Sequence, residues 1–99
     1  MTKKNNWTFF SNHSHVYFLL AREDDVTIKE VAQNVGITER AVHGIILDLE
    51  EGGYIQKEKI GRANRYKIVQ NKKLRHPLEA EVKLDDLVNI ITEAKLKTL

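Results

Sequence analysis

The stretch TIKEVAQNVGITERAV restricts the fold more than any other, because it predicts two short helices in immediate succession. Thr27 and Glu30 form a T-x-x-E capping box, in which each side chain satisfies a backbone amide at a helix start. Four apolar residues then follow the i, i+3, i+4, i+7 spacing of one helix face, namely Ile28, Val31, Ala32 and Val35. Gly36 can adopt the left-handed conformation that ends a helix, and Thr38 can cap the next one. The sequence therefore predicts two helices joined by a tight turn that contains a glycine.

The second helix, residues 38–51, combines an ordinary apolar face with an unusual opposite face. The apolar face consists of Val42, Ile45, Ile46 and Leu49. At about 100° per residue, the opposite pole carries Arg40, Gly44, Leu47 and Glu51, with His43 to one side. Glycine inside a helix costs roughly 0.5–1 kcal/mol relative to alanine. Either this outer face meets a partner, or Gly44 is merely tolerated and Leu47 packs against a neighbouring segment. Two such helices form a helix-turn-helix.

Strands are predicted after the second helix. YIQKEKI and RYKIV are rich in tyrosine, isoleucine and valine, and GRAN between them supplies the glycine and asparagine of a hairpin turn. Earlier in the chain, HVYFLLAR predicts a helix capped by Ser11, Asn12 or Ser14. A hydrophobic arm precedes it and is expected to pack on the core; its residues are Trp7, Phe9 and Phe10.

A last helix is predicted from Asp85, which can cap it. Pro77 prevents a helix across the polar connector that precedes it. The expected fold is therefore mainly α-helical, with a small β-hairpin and a C-terminal helix. The expected organisation is a first domain at 1–70, a connector at 71–84 and the C-terminal helix at 85–99.

Charge is unevenly distributed along a chain whose net charge is only +2. Residues 23–53 contain eight acids and two bases, whereas residues 54–76 contain eight bases and one acid. A compact basic segment of this kind can bind a polyanion locally, although isolated runs of charge usually serve only to solvate a surface.

Several classes of function are disfavoured. The chain has no cysteine, and its four histidines lack the companions of a metal site, so we expect no metal and no cofactor. Adjacent carboxylates such as Glu50 and Glu51 lie at an element end rather than across a cleft, and no nucleophile or phosphate-binding motif is present, so we expect no catalytic residues and no enzyme. Without a long apolar run or a signal-peptide core, a cytoplasmic protein with no membrane partner is expected.

The order helix, helix, turn, helix, basic hairpin is that of a winged helix. LEEGGYIQKEKIGRANRYKI resembles the end of the recognition helix and the wing of MarR- and ArsR-type transcriptional regulators. WTFFSNH and LRHPLE resemble segments of small stand-alone winged-helix proteins grouped with them. The resemblance, which covers about residues 7–84, implies a regulator that binds specific sequences in double-stranded DNA.

The resemblance also implies which residues face DNA. The recognition helix, about residues 38–51, would enter the major groove and present Thr38, Glu39, Arg40, Ala41, His43, Gly44 and Leu47. Arg40 would contact a guanine or clamp a phosphate, while Gly44 would allow close approach and Leu47 would meet a thymine methyl group. The wing, residues 54–69, would contact the backbone or minor groove through Lys57, Lys59, Arg62, Asn64, Arg65 and Lys67.

The C-terminal helix is expected to hold two copies together. Its apolar stripe consists of Leu84, Leu87, Ile90, Ile91 and Ala94, and a homodimer could bury it as the dimerisation helices of similar regulators do. The alternative is a monomer in which this helix folds back onto Trp7, Phe9 and its own domain. A second alternative concerns function: the chain could be a winged-helix protein–protein interaction module in a regulatory complex.

Overall fold

The computed structural model describes residues 7–23, 25–60 and 63–97. Its elements, in chain order, are α1 (Asn12–Arg22), α2 (Ile28–Val35), α3 (Glu39–Glu51), β1 (Ile55–Ile60), β2 (Ala63–Ile68) and α4 (Leu84–Lys97). The two strands pair antiparallel as a hairpin. The predicted fold, mainly helical with a hairpin wing and a C-terminal helix, is confirmed.

The turn between α2 and α3 follows from local chemistry. The Thr27 hydroxyl accepts from the Glu30 amide at 3.1 Å, and the Thr27 amide donates to the Glu30 carboxylate at 2.9 Å. Gly36 has a φ of +88°, a conformation that costs other residues a steric penalty. The hydroxyl of Thr38 accepts from the Ala41 amide at 3.0 Å and so caps α3. These bonds fix the direction in which α3 leaves α2.

The core lies where the three N-terminal helices meet the base of the hairpin. Its largest fully buried side chains are Val16, Tyr17, Val31, Val42 and Ile55. Leu84, at the start of α4, is buried in the same cluster, and Leu87 packs partly against it. The first turn of α4 is therefore part of the domain rather than a separate element.

Three expectations about element ends and the arm are wrong. The hairpin loop is not GRAN, because Ala63 already pairs with Ile60 and only residues 61–62 link the strands. Asp85 does not cap α4, which begins one residue earlier; both of its carboxylate oxygens accept instead from the amide of Asn71, at 3.1 and 3.2 Å.

The N-terminal arm, likewise, does not pack on the core. Trp7 and Phe9 are exposed, and their rings contact each other edge to face at 5.4 Å. Phe10, in contrast, reaches α1 and packs edge to face on Phe18 at 5.7 Å. Leu84 and Leu87 of α4 complete the core instead.

Tyr17 is the one described side chain that buries a polar atom without a hydrogen-bond partner, its hydroxyl. Burial, reinforced by the charge of Asp85 and by Tyr54, raises the pKa of Tyr17 to about 12. The unpartnered hydroxyl costs stability, since a buried polar group without a bond is destabilising by about 1–3 kcal/mol.

We therefore expect Tyr17→Phe to raise the free energy of unfolding by about 1 kcal/mol at neutral pH. Because the pKa is about 10 in the unfolded chain and about 12 in the folded one, the unfolded state loses its proton first. Wild-type stability should then fall as pH rises from about 10 to 12, by up to about 1.4 kcal/mol per unit. Urea unfolding from pH 8 to 11.5 measures both effects, and the phenylalanine variant should show a shallower fall. An equally steep fall in the variant would contradict the assignment to Tyr17.

Candidate nucleic-acid interface

The outer face of α3 is exposed along its whole length. The seven residues of α3 and its cap that the resemblance assigned to DNA are all exposed: Thr38, Glu39, Arg40, Ala41, His43, Gly44 and Leu47. Within this set, Arg40, Gly44 and Leu47 fall in one narrow sector of the helix, at the i, i+4 and i+7 positions. The structure therefore brings these three residues together as a single stripe, which we call the outer stripe.

Gly44 is not required by the packing of the chain. A Cβ atom added at this position would meet no atom within 4 Å, and Gly44 does not have a positive φ. Leu47 is 55% exposed, so the alternative that it packs firmly against a neighbouring segment does not describe this chain. Neither residue is explained by the stability of the folded domain.

The two ends of α3 differ in charge. The N-terminal end carries Glu39 and Arg40, whose charges cancel, and the positive end of the helix dipole, whereas the C-terminal end carries Asp48, Glu50 and Glu51. Asp48 also lies 2.8 Å from the His13 ring nitrogen, a contact between α3 and the first turn of α1 that the sequence did not predict. A polyanion would accordingly approach the N-terminal half of α3.

The strand register divides the basic residues of the wing between two faces. Lys57 pairs with Tyr66 and Lys59 with Asn64, on the face that Ile55 begins. Arg65 pairs with the acidic Glu58, and Lys67 with Gln56, on the other face. The first face, which we call the lysine face, has no acid within the two strands. The sequence treated these bases as one set, and period-two alternation separates them.

Arg65 has a structural role. Its guanidinium donates to the Asp25 carboxylate at 2.8 Å, which links the wing to the α1–α2 loop. This contact joins residues 40 positions apart, so no local pattern could have revealed it. Arg62 lies outside the described residues, as do the side chains of Asn64 and Ala94.

The stripe predicted for dimerisation is divided in the structure. Leu84 is buried in the core of its own chain, and Leu87 is half-buried against that core. Ile90 is 63% exposed and Ile91 is intermediate. The surface left for a partner therefore lies in the second and third turns of α4.

A groove of about 800 Å³ runs between α1, the C-terminal end of α3 and the connector. Its lining includes Phe10, His13, Tyr17, Asp48, Leu74 and His76. Residues from WTFFSNH and LRHPLE thus meet at this groove, at the acidic end of α3.

Two further properties concern the described part of the chain. Its residues include no cluster of three or more metal-ligating side chains. None of its helices combines the length and apolar character that crossing a membrane requires.

Comparisons with known proteins agree with the observed fold. Residues 11–56 match the family model described as winged helix-turn-helix DNA-binding. An uncharacterized protein of Methanocaldococcus jannaschii is 31% identical over 68 residues, which are 68% of this chain and 14% of that protein. The zinc-dependent MarR family transcriptional regulator AdcR, in its Zn(II)-bound state, has the same fold with a TM-score of 0.52 at 22% identity, over 67% of this chain and 47% of that one. The chain thus spans less than half the length of each.

Proposed function

We propose that this chain, which has the winged helix-turn-helix fold, regulates transcription by binding specific sequences in double-stranded DNA. The N-terminal half of α3 enters the major groove, and the wing lies on the backbone or in the minor groove. The observation that carries this proposal is the outer stripe, which is exposed, contains Arg40 and has open space over Gly44. The proposal includes a cytoplasmic location, where the DNA of a cell without a nucleus lies.

The wing supplies contacts that do not depend on sequence. Lys57 and Lys59 lie on the lysine face, to which neither strand contributes an acid, so both can approach phosphates. Arg65, held by Asp25, positions the wing, while Lys67, Asn64 and Arg62 are secondary candidates for contact. The N-cap Thr38 uses its oxygen to accept from Ala41 and retains a hydroxyl proton to donate to a phosphate.

Selection from a random duplex pool at low salt tests the proposal. We expect a consensus sequence, and we expect Arg40→Ala to weaken the preference at one base pair by about 1–3 kcal/mol, since a bidentate arginine–guanine contact is worth that much. Arg75→Ala is the matched control, because it removes the same charge from the connector and should leave the consensus unchanged. Failure to bind any duplex at low salt would disprove the proposal, because phosphate contacts are strongest there.

A homodimer held by α4 completes the proposal. Ile90 is exposed beside the half-buried Ile91, and a second copy can cover both through two-fold pairing. Two recognition helices would then face half-sites about one DNA turn, or a multiple of it, apart.

The dimer is tested by sedimentation. We expect the wild type to be dimeric at tens of micromolar, and Ile90→Asp to dissociate it by placing a charge in an apolar contact. Asn89→Asp adds the same charge to the neighbouring exposed residue and should leave the dimer intact if Ile90 is central. A monomeric wild type would exclude the dimer, and a dimeric Ile90→Asp variant would place the interface elsewhere.

A protein-interaction module is the second candidate. Phe9 and Leu78 are each 91% exposed, which is unusual for large apolar side chains and favours a protein partner. Recovery of one stoichiometric protein partner from nuclease-treated lysate, together with absent duplex binding, would favour this candidate.

A further inference from the structure

The outer stripe of α3 has a shape suited to one particular contact with DNA. Within the described residues, no atom lies within 4 Å of a Cβ atom added at Gly44, and the two larger side chains of the stripe lie on either side of it along the helix. Arg40 lies about 6 Å from Gly44 along the helix axis and Leu47 about 4.5 Å, at 1.5 Å per residue. A helix with this profile can approach a surface more closely at its middle than at its flanks.

We infer that Gly44 lets the backbone of α3 rest against the base edges of the major groove, which brings Leu47 onto the methyl group of a thymine. The inference rests on the proposed function and assigns a base to a residue within it. The thymine methyl is the apolar group that the major groove offers, whereas a leucine can make no hydrogen bond to a base. Burying a 55% exposed leucine on that methyl removes apolar surface of both partners from water.

The spacing within the stripe adds a prediction about the site. Arg40 and Leu47 are separated by about 10.5 Å along α3, which corresponds to about three base-pair steps of 3.4 Å. The base read by Arg40 and the thymine read by Leu47 therefore lie no more than about three base pairs apart in each half-site, because a tilted helix projects less than its full length onto the DNA axis.

The acids at the C-terminal end of α3 explain why DNA would contact the N-terminal half of the helix. The three acids at the C-terminal end of α3 would meet phosphates if the helix lay flat along the groove. A helix tilted onto its N-terminal half keeps those acids away from the backbone, and Leu47 is then the last residue of the stripe to reach a base.

Replacement of thymine by deoxyuridine tests the inference, because it removes only the methyl group. The probe is the duplex obtained by selection, with each thymine replaced in turn, and the measurement is fluorescence anisotropy at low salt. We expect one position in each half-site at which the wild type loses about fourfold in affinity, as one buried methyl group predicts. Leu47→Ala should bind the thymine and uracil duplexes equally, whereas Leu78→Ala, which shortens an exposed leucine of the connector, should keep the wild-type ratio.

Gly44→Ala tests the close approach separately. The variant should unfold at a higher temperature, since alanine is the better helix former and its Cβ meets no atom of the chain. It should bind the thymine duplex more weakly than the wild type and should lose part of the fourfold preference for thymine over uracil, because the added Cβ holds Leu47 away from the methyl group. A more stable protein that binds less well is not the result of a merely structural glycine.

The possible failures are distinguishable. If no duplex binds at low salt, the proposed function fails and this inference fails with it. If duplexes bind but no thymine replacement changes affinity, or if Leu47→Ala keeps the methyl dependence, only this inference is overturned. Duplex binding by Leu47→Ala equal to that of the wild type would also overturn it and leave Leu47 for a protein partner.

Discussion

Ile46→Ala should lower the free energy of unfolding by about 2–5 kcal/mol, whereas Leu47→Ala, one residue away, should lower it by less than about 0.5 kcal/mol. Ile46 is 4% exposed and belongs to the core, whereas Leu47 lies on the outer face of the same helix. Truncating the isoleucine removes buried apolar surface and leaves a cavity, while truncating the leucine does neither. Urea unfolding followed by circular dichroism at 222 nm measures the difference.

The two substitutions should have opposite effects on function. Ile46→Ala should bind duplexes normally wherever it remains folded, and Leu47→Ala should be stable but weaker in DNA binding. Equal losses of stability in the two variants would show that α3 is rotated from the observed orientation. That outcome would also remove the outer stripe, because Arg40, Gly44 and Leu47 face solvent only in this orientation.

The parts of the fold that the sequence predicted are those encoded by neighbouring residues. The Thr27–Glu30 capping box, Gly36 and the Thr38 cap act over three or four positions, so the sequence could place α2 and α3 closely. The apolar spacing of α3 likewise indicated which face is buried, and the four predicted residues are all in the core.

The parts that the sequence missed depend on contacts between distant residues. Asp85 has a side chain suited to a helix cap, yet it binds the Asn71 amide because the connector turns back at that point. Leu84 fits an apolar dimer stripe equally well by pattern, but the start of α4 returns to the core and buries it. The pairing of Arg65 with Asp25 and the position of His13 beside Asp48 arise in the same way.

The exposure of the aromatic arm is related to the side chains of α4 that pack in the core. Leu84 and Leu87 belong to the core or pack against it, whereas Trp7 and Phe9 remain exposed. Burial of an aromatic side chain would be favourable, so their exposure is a property of the isolated chain that a partner could change.

Raising the salt concentration from about 50 to about 200 mM should weaken duplex binding. The size of the loss depends on the number of phosphate contacts in each chain and on whether the protein binds as a monomer or a dimer. Each phosphate contact contributes about −0.9 to the slope of log affinity against log salt concentration. If the wing lysines Lys57, Lys59 and Lys67 each neutralise one phosphate, a monomer has a slope of about −2.7 and loses about 40-fold in affinity over this range. A dimer that makes the same contacts twice has a slope of about −5.4 and loses about 2,000-fold.

The lysine face supplies a direct check on this count. Lys57→Ala combined with Lys59→Ala should make the slope shallower by about 1.8 per chain and weaken all duplexes similarly. Lys73→Ala combined with Lys83→Ala is the matched control, because these lysines pair across an isolated bridge in the connector and carry the same total charge. Equal effects of the two double variants would mean that net charge, rather than the wing, attracts DNA. Ile90→Asp should halve the slope of log affinity against log salt concentration if the protein binds DNA as a dimer through α4, because a single copy makes half of the phosphate contacts. This result would support the DNA-binding proposal and the dimer proposal together.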